Sequence, residues 1–553
     1  MLRIGNMSGF YGDRFAAMRE MLTGGELDVL TGDYLAELTM LILGRQRLRD
    51  PAAGYATTFL RQLEDCLGLA VDRGVKIVSN AGGLNPAGLA DAVRALAERL
   101  GIPVRVAHVE GDDLLHRADE LGLTGALTAN AYLGGWGIAE CLTAGSDIVV
   151  TGRVTDASLV TGPAAAHFGW ARTDHDALAG ATVAGHVVEC GAQATGGNYS
   201  FFTELPDTDH IGFPIAELHD DGTAVITKHP GTGGAVTVET VTAQLLYEIG
   251  GPRYLGPDVT TRFDTIELTV DGPDRVRISG VQGEPPPDTA KVCLNTLAGF
   301  RNSATFVLCG LDIDAKAALI RRQVGGEDVT WSLARTDHVD ADSEETASAF
   351  LHATVRTEDP QRAKAFSRAC VELALASYPG FTLTAPPADG TPVGVYRPEY
   401  VPAAQVPHIA VLPDGRLVDI APHPPTAPPA ELDRPAPARQ VAGPTRPVPL
   451  GTVLGARSGD KGGDANLGVW ARTDDGYRWL AGYLTTDRLR TLLPEAKELD
   501  IERHPLPNLR AVNFVLHGLL GEGVAASTRF DPQAKALGEW LRSRIADVPE
   551  VLL

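Results

Sequence analysis

Acidic and amide side chains follow several short β-rich runs in the first 200 residues, each on a Gly-rich frame. Carboxyl groups can act as general acids and bases, and side-chain amides can orient a substrate oxygen. In an open parallel sheet, ligands bind beyond the carboxyl ends of the strands. We therefore predict proton transfer by Asp33, Asp156 and Glu189 at such an edge. The predicted ligand contacts there are Asn80, Gly82, Gly83, Asn130, Arg153 and Asn198.

Glu189 begins a stretch that also offers a thiol and two side-chain amides. A carboxyl group beside apolar residues can titrate near neutrality, which suits a general acid or base. The alternative is an ordinary solvated or salt-bridged side chain. The neighbouring Cys190 would be a nucleophile only if a base such as His186 lowered its pKa. We favour a small buried apolar role for Cys190.

The segment Lys228–Val236 reads K-H-P-G-T-G-G-A-V and lies between a β-rich run and a helical pattern. A Gly-rich turn into a helix N-terminus presents N–H groups and a positive dipole end to an anion. We predict that Lys228 contributes to catalysis and that Gly231, Thr232, Gly233 and Gly234 bind a phosphate or carboxylate. The alternative is a turn with Thr237 as the helix cap.

The segment Ala456–Gly468 reads A-R-S-G-D-K-G-G-D-A-N-L-G and fits neither a Walker A loop nor an EF-hand loop. We expect it on the first strand-to-strand turn of a small C-terminal domain. The prediction is that this turn closes over the site of the large domain, with Lys461 catalytic and Asp460 and Asp464 contacting the ligand. The alternative is a Gly-rich turn stabilised by local charge pairs.

Oxygen ligands for Mg²⁺ or another hard cation could come from Asp33, Asn80, Asp156 and the acidic cluster Glu110–Asp113. The acidic residues of that cluster also suit a helix N-terminus. We assign no metal ligand, and a divalent cation stays an open alternative.

The elements that must position these side chains alternate between strand and helix over residues 1–200, which predicts an α/β fold with a mostly parallel, doubly wound-like sheet. Residues 201–420 read as α+β material, so the large domain 1–420 would have two lobes. Ten prolines in 421–450 predict an extended linker. Residues 451–553 read as a small α+β domain. Its predicted strands lie near Thr452–Leu454, Asn466–Ala471, Tyr477–Leu484 and Asn508–Leu516.

The amino-acid composition limits the classes of molecule that the protein is expected to bind. The chain has 553 residues, 44% apolar content and a net charge of −22. That charge opposes binding to nucleic acid and to anionic membranes. The six cysteines are scattered without a C-x-x-C pair, as in a reduced cytoplasmic protein. We expect no signal peptide and no membrane span, a small-molecule substrate, and a homo-oligomer.

Six motifs together resemble the acyclic terpene utilisation (AtuA) family over nearly the whole chain. They are N-M-S-G-F-Y-G-D-R (Asn6–Arg14), S-N-A-G-G-L-N-P (Ser79–Pro86), T-G-R-V-T-D-A-S-L (Thr151–Leu159), K-H-P-G-T-G-G (Lys228–Gly234), Q-L-L-Y-E-I-G-G-P-R-Y (Gln244–Tyr254) and R-S-G-D-K-G-G-D-A-N (Arg457–Asn466). The resemblance implies a ferredoxin-like C-terminal domain. It also implies a place in terpenoid degradation through branched acyl-CoA thioesters, without naming catalytic residues.

These observations predict a soluble catabolic or tailoring enzyme, a lyase or hydrolase, that acts on an acyl-CoA-like or related carboxylate substrate. The chemistry would be acid/base addition–elimination, as in a hydratase or dehydratase, or hydrolysis. A CoA thioester is expected as substrate, and the cofactor is left open. One alternative is a non-catalytic binding or accessory subunit of a CoA-dependent enzyme. Another is a nucleotide- or metal-dependent enzyme.

Overall fold

The computed structural model describes residues 1–424, 431–432, 441 and 443–553. Most of the predicted Pro-rich linker, namely 425–430, 433–440 and 442, therefore lies outside the described residues. The end of that segment, Thr445–Pro449, is a strand that pairs antiparallel with Ile545–Pro549.

In chain order, the strands are β1 (Leu2–Asn6), β2 (Val29–Gly32), β3 (Lys76–Ser79), β4 (Val106–Glu110), β5 (Thr128–Ala131), β6 (Ile148–Thr151), β7 (Pro214–Leu218), β8 (Ala224–Lys228), β9 (Arg253–Leu255), β10 (Thr260–Arg262), β11 (Glu267–Gly272), β12 (Arg275–Ser279), β13 (Gln282–Glu284), β14 (Thr289–Cys309), β15 (Val329–Ala334), β16 (Ser348–Thr357), β17 (Thr382–Leu383), β18 (Thr391–Pro402), β19 (Ile409–Val411), β20 (Leu417–Asp419), β21 (Thr445–Pro449), β22 (Leu454–Lys461), β23 (Asp464–Ala471), β24 (Ile501–Leu506), β25 (Ala511–Leu516) and β26 (Ile545–Pro549). The α-helices are α1 (Ala17–Gly24), α2 (Glu37–Arg47), α3 (Thr57–Asp72), α4 (Pro86–Leu100), α5 (Trp136–Thr143), α6 (Ser158–Phe168), α7 (His175–Val188), α8 (Val238–Leu245), α9 (Ile313–Val324), α10 (Pro360–Glu372), α11 (Asp474–Tyr483), α12 (Thr486–Leu492) and α13 (Leu537–Ser543).

The described chain forms two compact units. The first joins residues 1–295, 397–519 and 533–553, and the second joins 296–396 and 520–532. The predicted domains are continuous segments with boundaries at residues 420 and 450, whereas each compact unit combines segments that are separated in the sequence. That division stays a prediction.

The first unit is built on one large mixed sheet with the strand order β11-β12-β8-β7-β1-β2-β3-β6-β4-β19-β20. The five central strands β1, β2, β3, β6 and β4 pair parallel. The flanking pairs, including β1–β7 and β7–β8, are antiparallel. The short connection between β7 and β8 allows only a hairpin. The predicted α/β class is confirmed, with parallel pairing confined to the centre of the sheet.

Both faces of the parallel centre are buried, each under its own set of helices. Neighbouring residues of a strand point to opposite faces, and Val78 and Val149 belong to a core that also contains residues of α5, α6 and α7. Ile77 and Ile148, one position away, belong to a second core with residues of α1, α3 and α4. This arrangement explains why adjacent positions in the middle of β3 (Ile77, Val78) and in β6 (Ile148–Val150) are apolar, without polar alternation.

The C-terminal part of the first unit carries an antiparallel sheet with the order β22-β23-β25-β24. Gly462 and Gly463 form the turn between β22 and β23, and Gly462 has a positive φ of 65°. The predicted strand Tyr477–Leu484 is wrong, since these residues lie mainly in α11. The Thr473 side chain caps that helix by accepting from the Gly476 N–H, and acidic residues fill its first turn, a local signal that outweighs the β-rich composition.

The second unit contains an antiparallel sheet in which β16 pairs with β15 and with residues 300–309 of β14. Helices α9 and α10 cover it. Its own apolar core includes Phe306, Leu351 and Phe366. Within the described part of the chain, no helix combines the length and apolarity needed to cross a bilayer.

Candidate active site

Asp33 and Asn80 follow neighbouring parallel strands and lie in direct contact. Asp33 comes after β2 and Asn80 after β3, and the Asn80 amide Nδ2 donates to Asp33 Oδ1 at 2.6 Å. The same oxygen accepts from the Leu35 N–H at 2.8 Å, and the Tyr34 N–H donates to Asn80 Oδ1 at 2.8 Å. Both side chains are buried. The parallel register therefore brings the two predicted residues together, and three hydrogen bonds fix their orientation.

Arg153 and Asp156 follow β6, the next strand of the sheet, and form a partly buried ion pair. Arg153 Nη2 lies 3.0 Å from Asp156 Oδ1, and Arg153 Nη1 donates to the Leu35 carbonyl at 2.6 Å. The Arg153 side chain is only 3% exposed and that of Asp156 is 22% exposed. The bond to Leu35 ties the Arg153 guanidinium to the loop that carries Asp33.

Asp112, which follows β4, contacts this ion pair through the backbone of Arg153. Its Oδ2 accepts from the Arg153 N–H and from the Asn130 amide, both at 2.8 Å. Asn130 thus contacts Arg153 through Asp112. Burial raises the pKa of Asp112 to about 7, against the lowering effect of these two hydrogen bonds. Asp112 titrates in the physiological range.

Glu189, at the end of α7, is the remaining carboxyl group of the cluster. It follows the last helical residue, and its carbonyl accepts from the Asn6 amide of β1 at 3.2 Å. The Glu189 side chain is 5% exposed. His186 stands one helical turn earlier, 1% exposed, with Nδ1 3.4 Å from Glu189 Oε1. Helical spacing of three residues puts the two side chains on one face.

Burial sets the protonation states of this cluster. It raises the pKa of Asp33 and of Glu189 well above the ordinary carboxyl value, and the negative charge of Asp156 raises both further. Arg153 acts in the opposite direction on both groups. Burial also lowers the pKa of His186 to about 4. Burial thus favours the protonated form of Asp33 and Glu189 and the neutral form of the His186 ring.

Aromatic rings line the site beside His186. The His186 ring centroid lies 5.3 Å from that of Tyr254 and 5.5 Å from that of Phe263, and the two aromatic rings stack at 5.4 Å. Burial raises the pKa of the Tyr254 phenol, which stays protonated. On the other side, the Arg153 guanidinium lies 4.4 Å over the Tyr132 ring. The polar groups thus sit in a low-dielectric setting, where electrostatic interactions are strengthened.

The C-terminal β22–β23 hairpin docks on the turn after α8, next to this site. Asn466 Oδ1 accepts from the Glu248 N–H at 2.8 Å, and its amide donates to the Ile249 carbonyl at 3.2 Å. Asn513 adds hydrogen bonds to the carbonyls of Ile249 and Gly250. Glu248 has a φ of 58°, a left-handed conformation unusual for a non-glycine residue. Two buried amides therefore hold this turn in place.

The charged residues of the hairpin reach the same region. Lys461 Nζ donates to the Glu248 carbonyl at 3.1 Å, and the positive charge of Lys461 contributes, after burial, to the lowered pKa of His186. Asp460 lies 4.0 Å from the Lys535 ammonium. Asp464 faces away, toward His517 at 2.9 Å and the Gly518 N–H at 2.7 Å. Contacts of Lys461 or Asp460 with a ligand stay a prediction.

Arg457 links the hairpin to the loop after Glu189. Its Nη1 donates to the Asn198 carbonyl at 2.7 Å, and its Nη2 bonds to the Gln193 side chain. The Asn198 side chain itself is exposed. The contact that the structure gives Asn198 is thus made by its backbone.

The Lys228–Gly234 loop lies at the same sheet edge, but its polar groups are engaged within the protein. Lys228 Nζ donates to the Thr232 carbonyl at 2.6 Å and lies 3.2 Å from Asp274. The N–H groups of Gly234 and Ala235 donate to backbone carbonyls, and that of Val236 donates to Asp274. Helix α8 begins after Thr237 with a capping box. Anion binding by Gly231, Thr232, Gly233 and Gly234 stays a prediction.

Gly82 and Gly83 lie in tight packing after β3. A Cβ on Gly82 would lie 2.4 Å from the Thr151 carbonyl oxygen, and one on Gly83 would lie 2.4 Å from Leu43 Cδ1. Close approach of neighbouring chains accounts for both glycines, and their predicted ligand contacts remain untested.

A metal site and a nucleophilic Cys190 were only alternatives in the sequence. Within that part of the chain, no group of three His, Cys, Asp or Glu side chains is arranged to hold a metal ion. Burial raises the pKa of Cys190 well above its ordinary value, which keeps the thiol protonated. This agrees with the apolar role predicted for Cys190.

Sequence reasoning leaves three members of the cluster without an assigned role. It offers His186 only as a base for Cys190, although the spacing of His186 to Glu189 is an available signal. Gln244 and Tyr254 enter only as the ends of one of the six motifs. Their partners come from α7 and from the loop after β10, and no local pattern links those segments to residues 244–254.

The fold and the site define an α/β protein with a buried carboxyl cluster at the edge of a parallel sheet and a small antiparallel domain docked beside it. A family model of the acyclic terpene utilisation family protein AtuA matches residues 2–412, and one of the AtuA ferredoxin-like domain matches residues 448–546. The chain belongs to the acyclic terpene utilisation (AtuA) family. No curated protein and no solved structure matches it.

Proposed function

We propose that this protein is an acid/base enzyme that adds water to, or eliminates it from, an acyl-CoA-like substrate at the buried carboxyl cluster. The observation that carries the proposal is the grouping of two buried carboxyl groups with raised pKa values, Asp33 and Glu189, around the Arg153–Asp156 ion pair. Titratable groups with strongly perturbed pKa values gather at catalytic sites more often than elsewhere. The family context supports the choice of substrate.

The proposed roles of Asp156 and Glu189 follow from the charges of their side chains. In the elimination direction, the Asp156 carboxylate removes a proton from the carbon beside the carbonyl, and the C–H electron pair forms the C=C bond. Glu189, as a carboxylic acid, protonates the departing hydroxyl, so that water leaves. Both residues are restored when Asp156 returns its proton to solvent and Glu189 regains one. Asp156 suits exchange with solvent because it is the most exposed carboxyl of the three.

Asp33 and Arg153 would hold the reacting geometry. Arg153 is fixed by Leu35 and Asp112, and Asp33 by Asn80, so both groups are preorganised before a ligand enters. Preorganised dipoles and charges in a dry site stabilise developing charge without reorganisation at the moment of reaction. Lys461, on the docked hairpin, would add positive charge near the substrate carbonyl.

The test is proton exchange with branched 2-enoyl-CoA and 3-hydroxyacyl-CoA thioesters in D₂O, followed by mass spectrometry. We expect the wild type to interconvert the two thioesters and to place deuterium on the carbon beside the carbonyl. Glu189→Gln and Asp156→Asn should lower the rate by about 10²–10⁴-fold, the usual contribution of a general acid or base. Glu204→Gln, in an exposed pair with Arg472, is the matched control and should keep the rate. Equal rates in all four proteins would refute the proposal.

A further inference from the structure

Strand β15 forms an edge of the sheet in the second unit and lacks the usual protection of such edges. It lies at the end of the strand order β15-β16-β14-β17, and within the described part of the chain it pairs with β16 alone. Its residues Val329–Ala334 read V-T-W-S-L-A, without proline or charge. Thr330 and Ser332 are exposed, and Trp331 and Leu333 are only partly buried. An exposed edge of this kind is a template for another strand, and proteins usually block it with proline, charges or bulges.

Other long edge strands of the protein carry such protection. Strand β11 contains the charged residues Glu267 and Asp271, and strand β24 contains Pro505. The outer edge of β22 is covered, because the Ser200 hydroxyl bonds to both the N–H and the carbonyl of Ala456. The contrast with these strands indicates that the edge at β15 accepts a partner strand.

The hydrogen bonds between β14 and β16 determine which backbone groups of β15 face outward. At the end of that pairing, the Gly310 N–H donates to the Ala347 carbonyl at 2.9 Å. Hydrogen-bonded pairs alternate with non-bonded pairs along an antiparallel ladder. Leu351, Ala353 and Val355 lie in bonded positions of the same ladder, so their backbone groups face β14. The residues of β15 opposite them therefore direct their own backbone groups away from β16.

These outward-facing residues are Val329, Trp331 and Leu333, which pair with Val355, Ala353 and Leu351. The Val329 N–H agrees with this assignment, because it donates to the Gly326 carbonyl and not to β16. The side chains of Trp331 and Leu333 lie at the border of the apolar core of the second unit. The edge thus combines outward backbone groups with a partly exposed apolar row.

A second copy of the same strand fits this edge. An antiparallel pairing centred on Trp331 places that residue opposite itself and Leu333 opposite Val329 of the second copy. All three outward-facing residues then meet outward-facing residues. The same register places Glu327 opposite Arg335 of the second copy, and both residues are exposed. Opposite charges facing each other across strands are favourable, whereas a parallel arrangement of the two strands in register would place like charges together.

We infer that β15 pairs with β15 of a second copy of this chain, so that one antiparallel sheet continues through the second units of a two-fold symmetric dimer. The two Trp331 side chains then lie side by side on one face of the joined sheet, next to Phe306 in each core. Such an interface closes on itself and does not form a fibre. One short strand from each copy buries little surface, so the dimer is weak and dependent on concentration.

Sedimentation velocity of the full chain over a range of concentrations tests the inference. The wild type should show a monomer–dimer equilibrium. Leu333→Pro removes an outward-facing N–H, which an edge strand tolerates, and keeps the hydrogen bonds to β16. The variant should keep the melting temperature of the dissociated wild type and weaken the dimer by about tenfold. A wild type that stays monomeric at every concentration would overturn the inference.

Disulfide cross-linking tests the register and also decides the matter if Leu333→Pro does not fold. Opposed Cα atoms of a bonded antiparallel pair are about 5.5 Å apart, within reach of a disulfide. Trp331→Cys should therefore give a cross-linked dimer under mild oxidation. Ser332→Cys is the matched control, because two copies of residue 332 are diagonal neighbours, about 7–8 Å apart. Equal cross-linking of Trp331→Cys, Ser332→Cys and wild type would refute the proposed pairing.

Discussion

Asn466, on the C-terminal hairpin, accepts a hydrogen bond from the Glu248 N–H at 2.8 Å and so fixes a left-handed residue beside the carboxyl cluster. The motif R-S-G-D-K-G-G-D-A-N thereby has a structural explanation. Asn466 and the glycines of the motif permit close packing against the turn after α8, and Lys461 contacts that turn. The C-terminal domain thus contacts the turn after α8, and its contribution to ligand binding stays a prediction.

Gly459 lets the hairpin approach that turn, and its replacement should separate them. A Cβ at this position would lie 2.4 Å from Cε2 of the buried Tyr247 ring. Gly459→Ala should therefore lower the free energy of unfolding by about 1–3 kcal/mol, as overpacking does, measured by urea denaturation. Gly68→Ala, in helix α3 with its nearest contact at 3.4 Å, is the control. It should be neutral or gain up to about 1 kcal/mol. Equal effects of the two substitutions would contradict this role for Gly459.

Asp112 should make stability depend on pH between about 4 and about 7. Its pKa is raised by burial to about 7, so the folded state binds more protons than the unfolded state across that range. Stability contributed by Asp112 is therefore present at acid pH and lost as the pH rises. Relative to Asp112→Asn, the wild type should become progressively less stable from about pH 4 to about pH 7. The exposed Asp209→Asn should show no such trend in thermal unfolding. A constant difference between wild type and Asp112→Asn would contradict the prediction.

His517 should act with the same sign as Asp112, but over a higher pH range. Partial burial lowers its pKa, but its contacts with Asp464 and Glu502 raise it more, so the pKa lies above its ordinary value. Its stabilisation is complete below about pH 6.5 and is lost as the pH rises through the folded-state pKa. His517→Gln should lower the melting temperature at pH 6 and approach the wild type at pH 9. The exposed His116→Gln should have little effect at either pH. A loss of the same size at both pH values would show that charge plays no part.

The sequence predicted the parts of the site that depend on one physical rule. Because parallel strands end at the same edge, Asp33, Asn80, Arg153 and Asp156 could be expected to meet, and they do. The α/β class followed from the alternation of strands and helices. Helix α11 was mistaken for a strand because its apolar residues dominate a short segment, whereas Thr473 and the acidic first turn decide it.

The remaining features depend on contacts between distant segments. Lys228 suited an anion on local grounds, but Asp274, far along the chain, occupies its ammonium. The role of Gln244 and Tyr254 beside His186 arises from the packing of α8 and β9 against α7. Likewise, the docking of Asn466 on Glu248 joins residues more than 200 positions apart. Spacing within a motif carries no information about such partners.

The most direct test of the proposed chemistry is the protonation state of the buried acids at neutral pH, measured by infrared difference spectroscopy in D₂O. The wild type should show the C=O stretch of protonated carboxyl groups, and Glu189→Gln and Asp33→Asn should each remove a part of it. Glu204→Gln should leave the band unchanged. If the wild type shows no protonated carboxyl band at neutral pH, or if neither substitution reduces it, Asp33 and Glu189 are ionised and the proposed acid catalysis is wrong.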